Sequence, residues 1–159
     1  MNNLDLVILA GGKGSRIKKF LKNNPKPMAK FNNKYFIEYI IQNFSKYSFK
    51  RIFILTGYKS KIIINKFHKK LFNFVEITCF KEKTPMGTGG ALNILKKNKI
   101  NDFVLINGDT IFDINLNLLI NKIKKKQIGS IALIKNLSKK KNKLSNLSLN
   151  KNKVTNQKK

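Results

Sequence analysis

The sequence is poor in acidic residues and in arginine, and both shortages bear on function. It holds 7 Asp and Glu against 34 Lys and Arg, and its only arginines are Arg16 and Arg51. Specific nucleic-acid recognition depends heavily on the planar arginine fork, which lysine does not supply. The lysines are scattered among many Asn, Ile and Phe residues, all of which A/T-rich codons encode. The net charge of +27 therefore indicates a compositional bias, and we expect no specific nucleic-acid partner.

Cysteine and long apolar runs are also scarce. Cys79 is the one cysteine, so no internal disulfide and no Cys/His metal spacing exists, and we predict a small core residue in a strand. No apolar run approaches the roughly 20 residues of a membrane helix. The first apolar segment begins at Leu4 without the basic region of a signal peptide. We therefore expect a cytoplasmic protein with no membrane partner.

Up to Lys135, short apolar runs alternate with amphipathic ones. This alternation is typical of βαβ units and predicts an α/β fold with a largely parallel sheet. A chain of 159 residues is long enough for one core. The predicted strands are 4–10, 51–56, 75–80, 102–106 and 130–134, and the predicted helices lie within 35–47, 60–72, 87–98 and 116–126.

The composition changes after Lys135. Residues 136–159 are rich in Lys and Asn, hold no acid and contain little apolar material. Such a segment cannot bury much surface by itself. We predict one α/β domain at 1–135 and a weakly ordered tail at 136–159, with one short strand around 147–149.

The stretch LAGGKGSR follows the first predicted strand directly. A glycine-rich turn at that place lets backbone N–H groups approach a phosphate. The stretch is not a P-loop, and Ile17 stands where a dinucleotide fingerprint needs its third glycine. In the remaining pattern, GGxGxR, the glycines Gly11, Gly12 and Gly14 allow the turn while Arg16 can grip phosphate oxygens. A purely structural glycine turn is the alternative.

Three further patches contain residues suited to binding phosphate, base or metal. PKPM holds Lys26 between two prolines that restrict the backbone, although an ordinary loop also fits. PMGTGGA is a second glycine-rich turn before a helix, with a helix start capped by Thr88 as the alternative. NGDT places Asp109 just beyond a buried strand, where α/β sheets bind ligands and a carboxylate can hold Mg²⁺. Asp113 is expected to cap a turn or the helix that begins near Leu116.

LAGGKGSR, PKPM, TGYK, EKTPMGTGGA and NGDT, in this order, resemble the sugar-1-phosphate nucleotidylyltransferase family over most of the chain, from about Leu4 to Lys135. The branch most similar to PMGTGGA and NGDTIFDI contains the guanylyltransferases of D-glycero-D-manno-heptose 1-phosphate, with those of mannose 1-phosphate as the nearest rival. Ser15 and Ile17 stand where the family usually has Thr and Leu. The resemblance implies a Rossmann-like three-layer α/β/α nucleotidyltransferase fold with a mostly parallel mixed sheet.

The resemblance also implies an activity: transfer of GMP from GTP to a heptose or mannose 1-phosphate, with release of pyrophosphate. Mg²⁺ would be the cofactor, and the product would serve nucleotide-sugar and lipopolysaccharide biosynthesis. The oligomeric state stays open, a homo-oligomer included. His68, away from every motif, is expected at the surface. The implied catalytic residues are Arg16, Lys26 and Asp109, the last also as metal ligand, and the implied nucleotide-binding residues are Leu9, Ala10, Gly11, Gly12, Gly14, Ser15, Gly87, Thr88 and Gly89.

The chain departs from the family in what its last residues contain. The acceptor-sugar contacts and a second acidic metal ligand, which the family carries further along, cannot be located. We therefore expect a C-terminally truncated chain in which nucleotide binding survives better than turnover. An inactive nucleotide-binding relative and a basic nucleic-acid-binding module are the alternatives.

Overall fold

The computed structural model describes residues 4–21, 23–84, 87–124, 127–132, 147–150 and 153–156. The chain divides into two compact units, Met1–Phe112 and Asp113–Lys159. The strands of the first unit are β1 Asp5–Ala10, β2 Lys30–Phe31, β3 Lys34–Tyr35, β4 Ile52–Thr56, β5 Leu71–Phe72, β6 Val75–Lys81 and β7 Phe103–Asn107. Its helices are α1 Phe36–Phe44, α2 Ser60–Phe67, α3 Gly87–Ala91 and α4 Asn93–Lys97, with 3₁₀ segments at Ser15–Phe20 and Lys26–Met28.

Five strands form one sheet in the order β5-β6-β4-β1-β7. β1 pairs in parallel with both β4 and β7, and β4 pairs in parallel with β6, while β5 is antiparallel to β6. The chain thus runs outward from β1 through β4 to β6 and then crosses back to β7 on the other side of β1. Ligands of open α/β sheets bind at the carboxyl ends of the strands where the order reverses, which here is the end of β1 beside β7.

Helices cover both faces of this sheet. Successive residues of a strand point to opposite faces, so Leu6 and Val7 belong to different layers. On the first face, Leu6 lines a cavity together with Ile41 of α1, and α2 packs against β4 and β6. The core cluster of the second face joins strand residues to α3 and α4: Val7, Phe53, Leu55, Ala91, Leu95 and Ile100. The predicted three-layer α/β/α fold is confirmed.

Four of the five predicted strands are confirmed to within one residue at each end, as β1, β4, β6 and β7. Cys79 is buried in β6, as predicted. The strand predicted at 130–134 is wrong for residues 130–132, which have no regular structure, and 133–134 lie outside the described residues. The described part of this run is not buried, because Ser130, Ile131 and Ala132 are all exposed.

The predicted helix over 60–72 is too long. α2 ends at Phe67, and Lys69 takes a positive φ of 59° that a helix cannot continue. Leu71 instead pairs with Glu76 in the β5–β6 hairpin. His68 is also not simply a surface residue: it is half-buried, and its Nδ1 accepts a hydrogen bond from the backbone nitrogen of Cys79 at 3.1 Å.

The second unit contains α5 Leu116–Asn121 and two strands, β8 Leu147–Asn150 and β9 Lys153–Asn156, that pair in antiparallel fashion. β8 confirms the short strand predicted around 147–149. The cap of α5 is Asn115, whose Oδ1 accepts from the backbone nitrogen of Leu118 at 3.2 Å, so of the two roles expected for Asp113, a turn cap or the cap of this helix, the helix cap is excluded. None of the helices in the described ranges is long and apolar enough to cross a membrane.

Candidate functional site

The glycine-rich loop leaves β1 at the carboxyl edge of the sheet, where the strand order reverses. Gly14 has a φ of +61°, and a Cβ at this position would lie 3.0 Å from Cβ of Lys26. Only glycine accepts both conditions without strain. The loop then enters the 3₁₀ segment, in which Arg16 is exposed. Around Gly12, by contrast, the space that a Cβ would enter is open.

Backbone hydrogen bonds from the residues that follow β4 and β7 fix the end of β1 on both sides. After β7, the backbone nitrogen of Gly108 donates to the carbonyl of Leu9 at 2.8 Å. After β4, the nitrogen of Tyr58 donates to the carbonyl of Gly11 at 3.1 Å. A Cβ would lie 2.8 Å from the Leu9 oxygen at Gly108 and 2.9 Å from the Gly11 oxygen at Gly57. These glycines of NGDT and TGYK therefore permit the close approach that shapes the loop.

Lys26 and Asp109 meet at this edge, although 83 residues separate them. Lys26 begins a short 3₁₀ turn between Pro25 and Pro27, both buried. Its Nζ donates to Oδ2 of Asp109 at 2.8 Å, and the hydroxyl of Thr110 donates to Oδ1 at 3.0 Å. Partial burial pushes the pKa of Asp109 upward, but these hydrogen bonds and the charge of Lys26 outweigh it and hold the pKa below its usual value.

Glu82 lies beside the glycine-rich loop, next to Gly11, and was not predicted from the sequence as a site residue. It follows β6, and its backbone nitrogen donates to the carbonyl of Thr56 at 2.8 Å. A Cβ on Gly11 would lie 3.3 Å from its Oε1, and one on Gly57 would lie 3.2 Å from its Oε2. Burial raises the pKa of Glu82. The available signal was its place in EKTPMGTGGA, as one of few acids in the chain.

The glycines of the second glycine-rich stretch, PMGTGGA, lie within α3 itself, which follows β6. Gly87 has a φ of +69°, and the space that a Cβ would enter is open at both Gly87 and Gly89. The side chain of Thr88 lies outside the described part of the chain, so its role as a cap is untested. Pro85 and Met86 lie outside it as well.

The contacts join some of the predicted residues and leave others apart. Lys26 contacts Asp109 on one side and lies beside Gly14 on the other. Leu9 and Gly11 lie against Gly108 and Gly57, the glycines that follow the neighbouring strands. Within the described residues, no hydrogen bond or ion pair links Arg16 to Lys26 or Asp109. Each predicted residue from Leu9 to Arg16 nevertheless lies at or directly after the carboxyl end of β1.

Asp109 is the residue that could hold a divalent metal. It is anionic, its side chain is 38% exposed, and it lies at the ligand-binding edge of the sheet. The described residues contain no group of three or more His, Cys, Asp or Glu that could hold a metal by themselves. This donor set fits Mg²⁺ bound together with nucleotide, because Mg²⁺ commonly takes one or two carboxylates plus phosphate oxygens.

An open cavity of about 610 Å³ lies beside the site, on the α2 side. Its lining includes Gly57, Lys59 and Lys81 but none of the predicted catalytic residues. Lys59 takes a positive φ of 51°, and its Nζ donates to Oδ1 of Asn23 at 2.7 Å. The lysine of TGYK thus anchors the segment that precedes Lys26 rather than pointing at the Asp109 carboxylate.

Comparison with known proteins agrees with this geometry. The family model described as nucleotidyl transferase matches residues 6–143. The D-glycero-alpha-D-manno-heptose 1-phosphate guanylyltransferases of Campylobacter jejuni and Aneurinibacillus thermoaerophilus are 39% and 35% identical over 73% and 71% of this chain. These alignments cover 52% and 49% of the two relatives, so the chain spans about half the length of the curated relatives it matches.

A solved structure agrees as well. HddC from Yersinia pseudotuberculosis, crystallised in complex with GMP-PN, superposes with a TM-score of 0.65 at 32% identity. The match covers 74% of this chain and 53% of that one. The five-stranded sheet, the strand-end loops and the family match agree, and the chain belongs to the nucleotidyl transferase family.

Proposed function

We propose that this protein binds GTP and transfers its GMP group to a sugar 1-phosphate, heptose or mannose, releasing pyrophosphate. The product would be a nucleotide sugar for surface polysaccharide such as lipopolysaccharide, made in the cytoplasm. The observation that carries the proposal is the meeting of Lys26 and Asp109 at 2.8 Å beside the glycine-rich loop. One cation for phosphate and one carboxylate for metal stand where α/β sheets bind their ligands.

The phosphate end of the nucleotide would lie over the loop that follows β1. Gly14, Ser15 and Arg16 would hold the triphosphate through backbone N–H groups and the guanidinium fork. Lys26 would neutralise the α-phosphate and the incoming sugar phosphate. Bound at Asp109, Mg²⁺ would supply further positive charge to the phosphate oxygens.

The base and ribose would lie between the two glycine-rich turns. The proposed lining consists of Leu9, Ala10, Gly11, Gly12, Gly87, Thr88 and Gly89. Open space at Gly12, Gly87 and Gly89 supports this placement, since a flat base could rest against the bare backbone.

Glu82 supports guanine as the base. An ionised carboxylate only accepts hydrogen bonds, and guanine offers adjacent donors at N1 and N2. The carboxylate lies beside Gly11 and Gly57, within the proposed base pocket. Uracil, thymine and cytosine do not present two neighbouring donors of this kind. The two guanylyltransferase relatives and the GMP-PN complex of HddC point to the same base.

The proposed reaction asks these residues to bind, orient and neutralise. An oxygen of the sugar phosphate attacks the α-phosphorus, and the bond from that phosphorus to the oxygen bridging to the β-phosphorus breaks. Negative charge develops on the leaving pyrophosphate, and Arg16 and Lys26 would offset it. Such transfer depends on in-line positioning and charge stabilisation more than on covalent help from the protein.

The test measures pyrophosphate released from GTP, Mg²⁺ and heptose or mannose 1-phosphate, together with GTP affinity by calorimetry. Asp109→Ala and Arg16→Ala should abolish release and weaken GTP binding. Lys13→Ala removes the same charge as Arg16→Ala, three residues away, at the unspecified position of the GGxGxR pattern, and should leave both unchanged. No GTP binding by the unmodified protein would contradict the proposal. GTP binding without pyrophosphate release would favour the inactive nucleotide-binding relative, if it persists after fusion to the part of a guanylyltransferase relative that this chain does not span.

A further inference from the structure

The ion pair between Lys26 and Asp109 joins two groups that the proposed function assigns to different ligands. Their atoms lie 2.8 Å apart, and the two side chains are 36% and 38% exposed. Lys26 is meant for phosphate and Asp109 for the metal. Each charge is partly neutralised by the other, so the ion pair weakens the attraction of each group for its own ligand, and both ligands compete with this contact.

The surroundings allow Lys26 to move only at its end. Pro25 and Pro27, both buried, restrict the backbone on either side, and Gly14 leaves no room for a side chain of its own beside the Cβ of Lys26. The ammonium group, in contrast, lies at the end of a flexible stem in a half-exposed position. It can therefore swing from Asp109 toward a phosphate on the Gly14 loop without any movement of the backbone.

We propose that Lys26 and Asp109 act as stand-in partners for each other, so that triphosphate and metal both compete with one internal ion pair and thereby bind cooperatively. This inference rests on the proposed function. The free energy of separating the two side chains opposes binding of the first ligand. The second ligand then binds to a side chain that is already separated from its partner. Coupling of this kind is reciprocal between the two ligands.

The test is a double-mutant cycle in which GTP binding is measured by calorimetry without metal, in EDTA. Asp109→Asn keeps the shape of the side chain but frees Lys26, and it should tighten metal-free GTP binding about 2- to 5-fold, the scale of a partly exposed ion pair. Removing a negative charge could also tighten binding by simple relief of repulsion. The same substitution is therefore repeated in a Lys26→Met background, where no lysine remains to be freed. There the increase in GTP affinity caused by Asp109→Asn should be less than half of the increase seen with Lys26 present.

Asp102→Asn is the matched control, since it makes the same charge change at an exposed position just before the other end of β7. It should leave the affinity unchanged. If Asp109→Asn tightens binding equally in both backgrounds, or not at all, the stand-in role is wrong while the proposed function stands. If the unmodified protein does not bind GTP even with Mg²⁺, the proposed function fails and this inference fails with it. Lys26→Gln completes the cycle should Lys26→Met lose its fold.

Discussion

The backbone nitrogen of Gly108 donates to the carbonyl oxygen of Leu9, and a Cβ on Gly108 would stand 2.8 Å from that same oxygen. The carbonyl belongs to backbone, which cannot step aside as a flexible side chain can. Asp109 is the next residue, so any shift that relieves the clash also moves the proposed metal ligand.

We expect Gly108→Ala to lower the free energy of unfolding by about 1–3 kcal/mol, the usual cost of overpacking. GTP affinity should fall by at least about tenfold, or about 1.4 kcal/mol. Denaturant unfolding and calorimetry measure the two effects. Gly129→Ala is the control, because no atom lies within 4 Å of its added Cβ. Equal behaviour of the two variants would show that the Leu9 contact does not position Asp109.

Gly12→Ala should separate binding from stability. Nothing within 4 Å obstructs a Cβ at Gly12, and its φ is not in the left-handed region. The free energy of unfolding should therefore change by less than about 0.5 kcal/mol, as for an unobstructed surface substitution. GTP binding should nevertheless weaken, because the added methyl group enters the space proposed for the nucleotide. A loss of stability without a loss of affinity would remove Gly12 from the binding surface.

The strands could be predicted from sequence because each is a short run rich in apolar residues. β1 and β4 are buried almost throughout, and β6 alternates buried residues with more exposed ones. The limits of α2 could not be predicted, because Ile63, Phe67 and Leu71 continue the helical spacing past the true end of the helix. What ends it is tertiary pairing: the nitrogen of Lys69 donates to the carbonyl of Ile77, and Leu71 joins β6. In the turn between β5 and β6, Asn73 and Phe74 take positive φ. Because neither residue is a glycine, the sequence does not indicate this turn.

The candidate site is harder to predict from individual residues than from the order of the motifs. Nothing in the spacing of Lys26 and Asp109 predicts a contact across 83 positions, and it arises because β7 returns beside β1. Glu82 was not predicted because the glycines of EKTPMGTGGA, and not its first residue, suggested a role for that motif. Its proximity to Gly11 depends on the parallel pairing of β6 with β4, which brings both strand ends to one edge.

Glu82→Gln should reduce selectivity for guanine. The change replaces one acceptor oxygen with a donor, and hydrogen bonds to charged groups contribute about 1.5–3 kcal/mol. Affinity for GTP should fall by about tenfold or more, and affinity for ITP, which lacks the N2 amine, should fall less. Glu76→Gln makes the same change at an exposed position on the same strand and should alter neither affinity. An unchanged GTP-to-ITP ratio in Glu82→Gln would exclude Glu82 from base recognition.

Asp109 should contribute to stability only above acidic pH. Its pKa is lower in the folded protein than the ordinary value near 3.9, so folding favours the ionised form. This contribution is fully present above that ordinary value and is lost as the pH falls through the folded pKa. Since the side chain is more than a third exposed, Asp109→Asn should cost less than about 1 kcal/mol at pH 7. The difference between the variant and the unmodified protein should shrink in denaturant unfolding as the pH falls below that ordinary value, and a difference that grows there would reverse the assigned sign.

Arg51→Ala should destabilise the sheet far from the proposed site. Arg51 grips the carboxylate of Asp5 with two hydrogen bonds, from Nε at 3.0 Å and from Nη2 at 2.6 Å, and Asp5 is only 3% exposed. The hydrogen-bonded carboxylate raises the pKa of Arg51 despite partial burial. Removing the arginine leaves a buried charge without its partner, which costs about 3 kcal/mol for such pairs. Arg51→Lys keeps the charge but loses the fork, so its cost should be smaller, and GTP affinity of the folded protein should be unchanged in both. Equal stability of Arg51→Ala and the unmodified protein would mean that water reaches Asp5 and replaces the guanidinium.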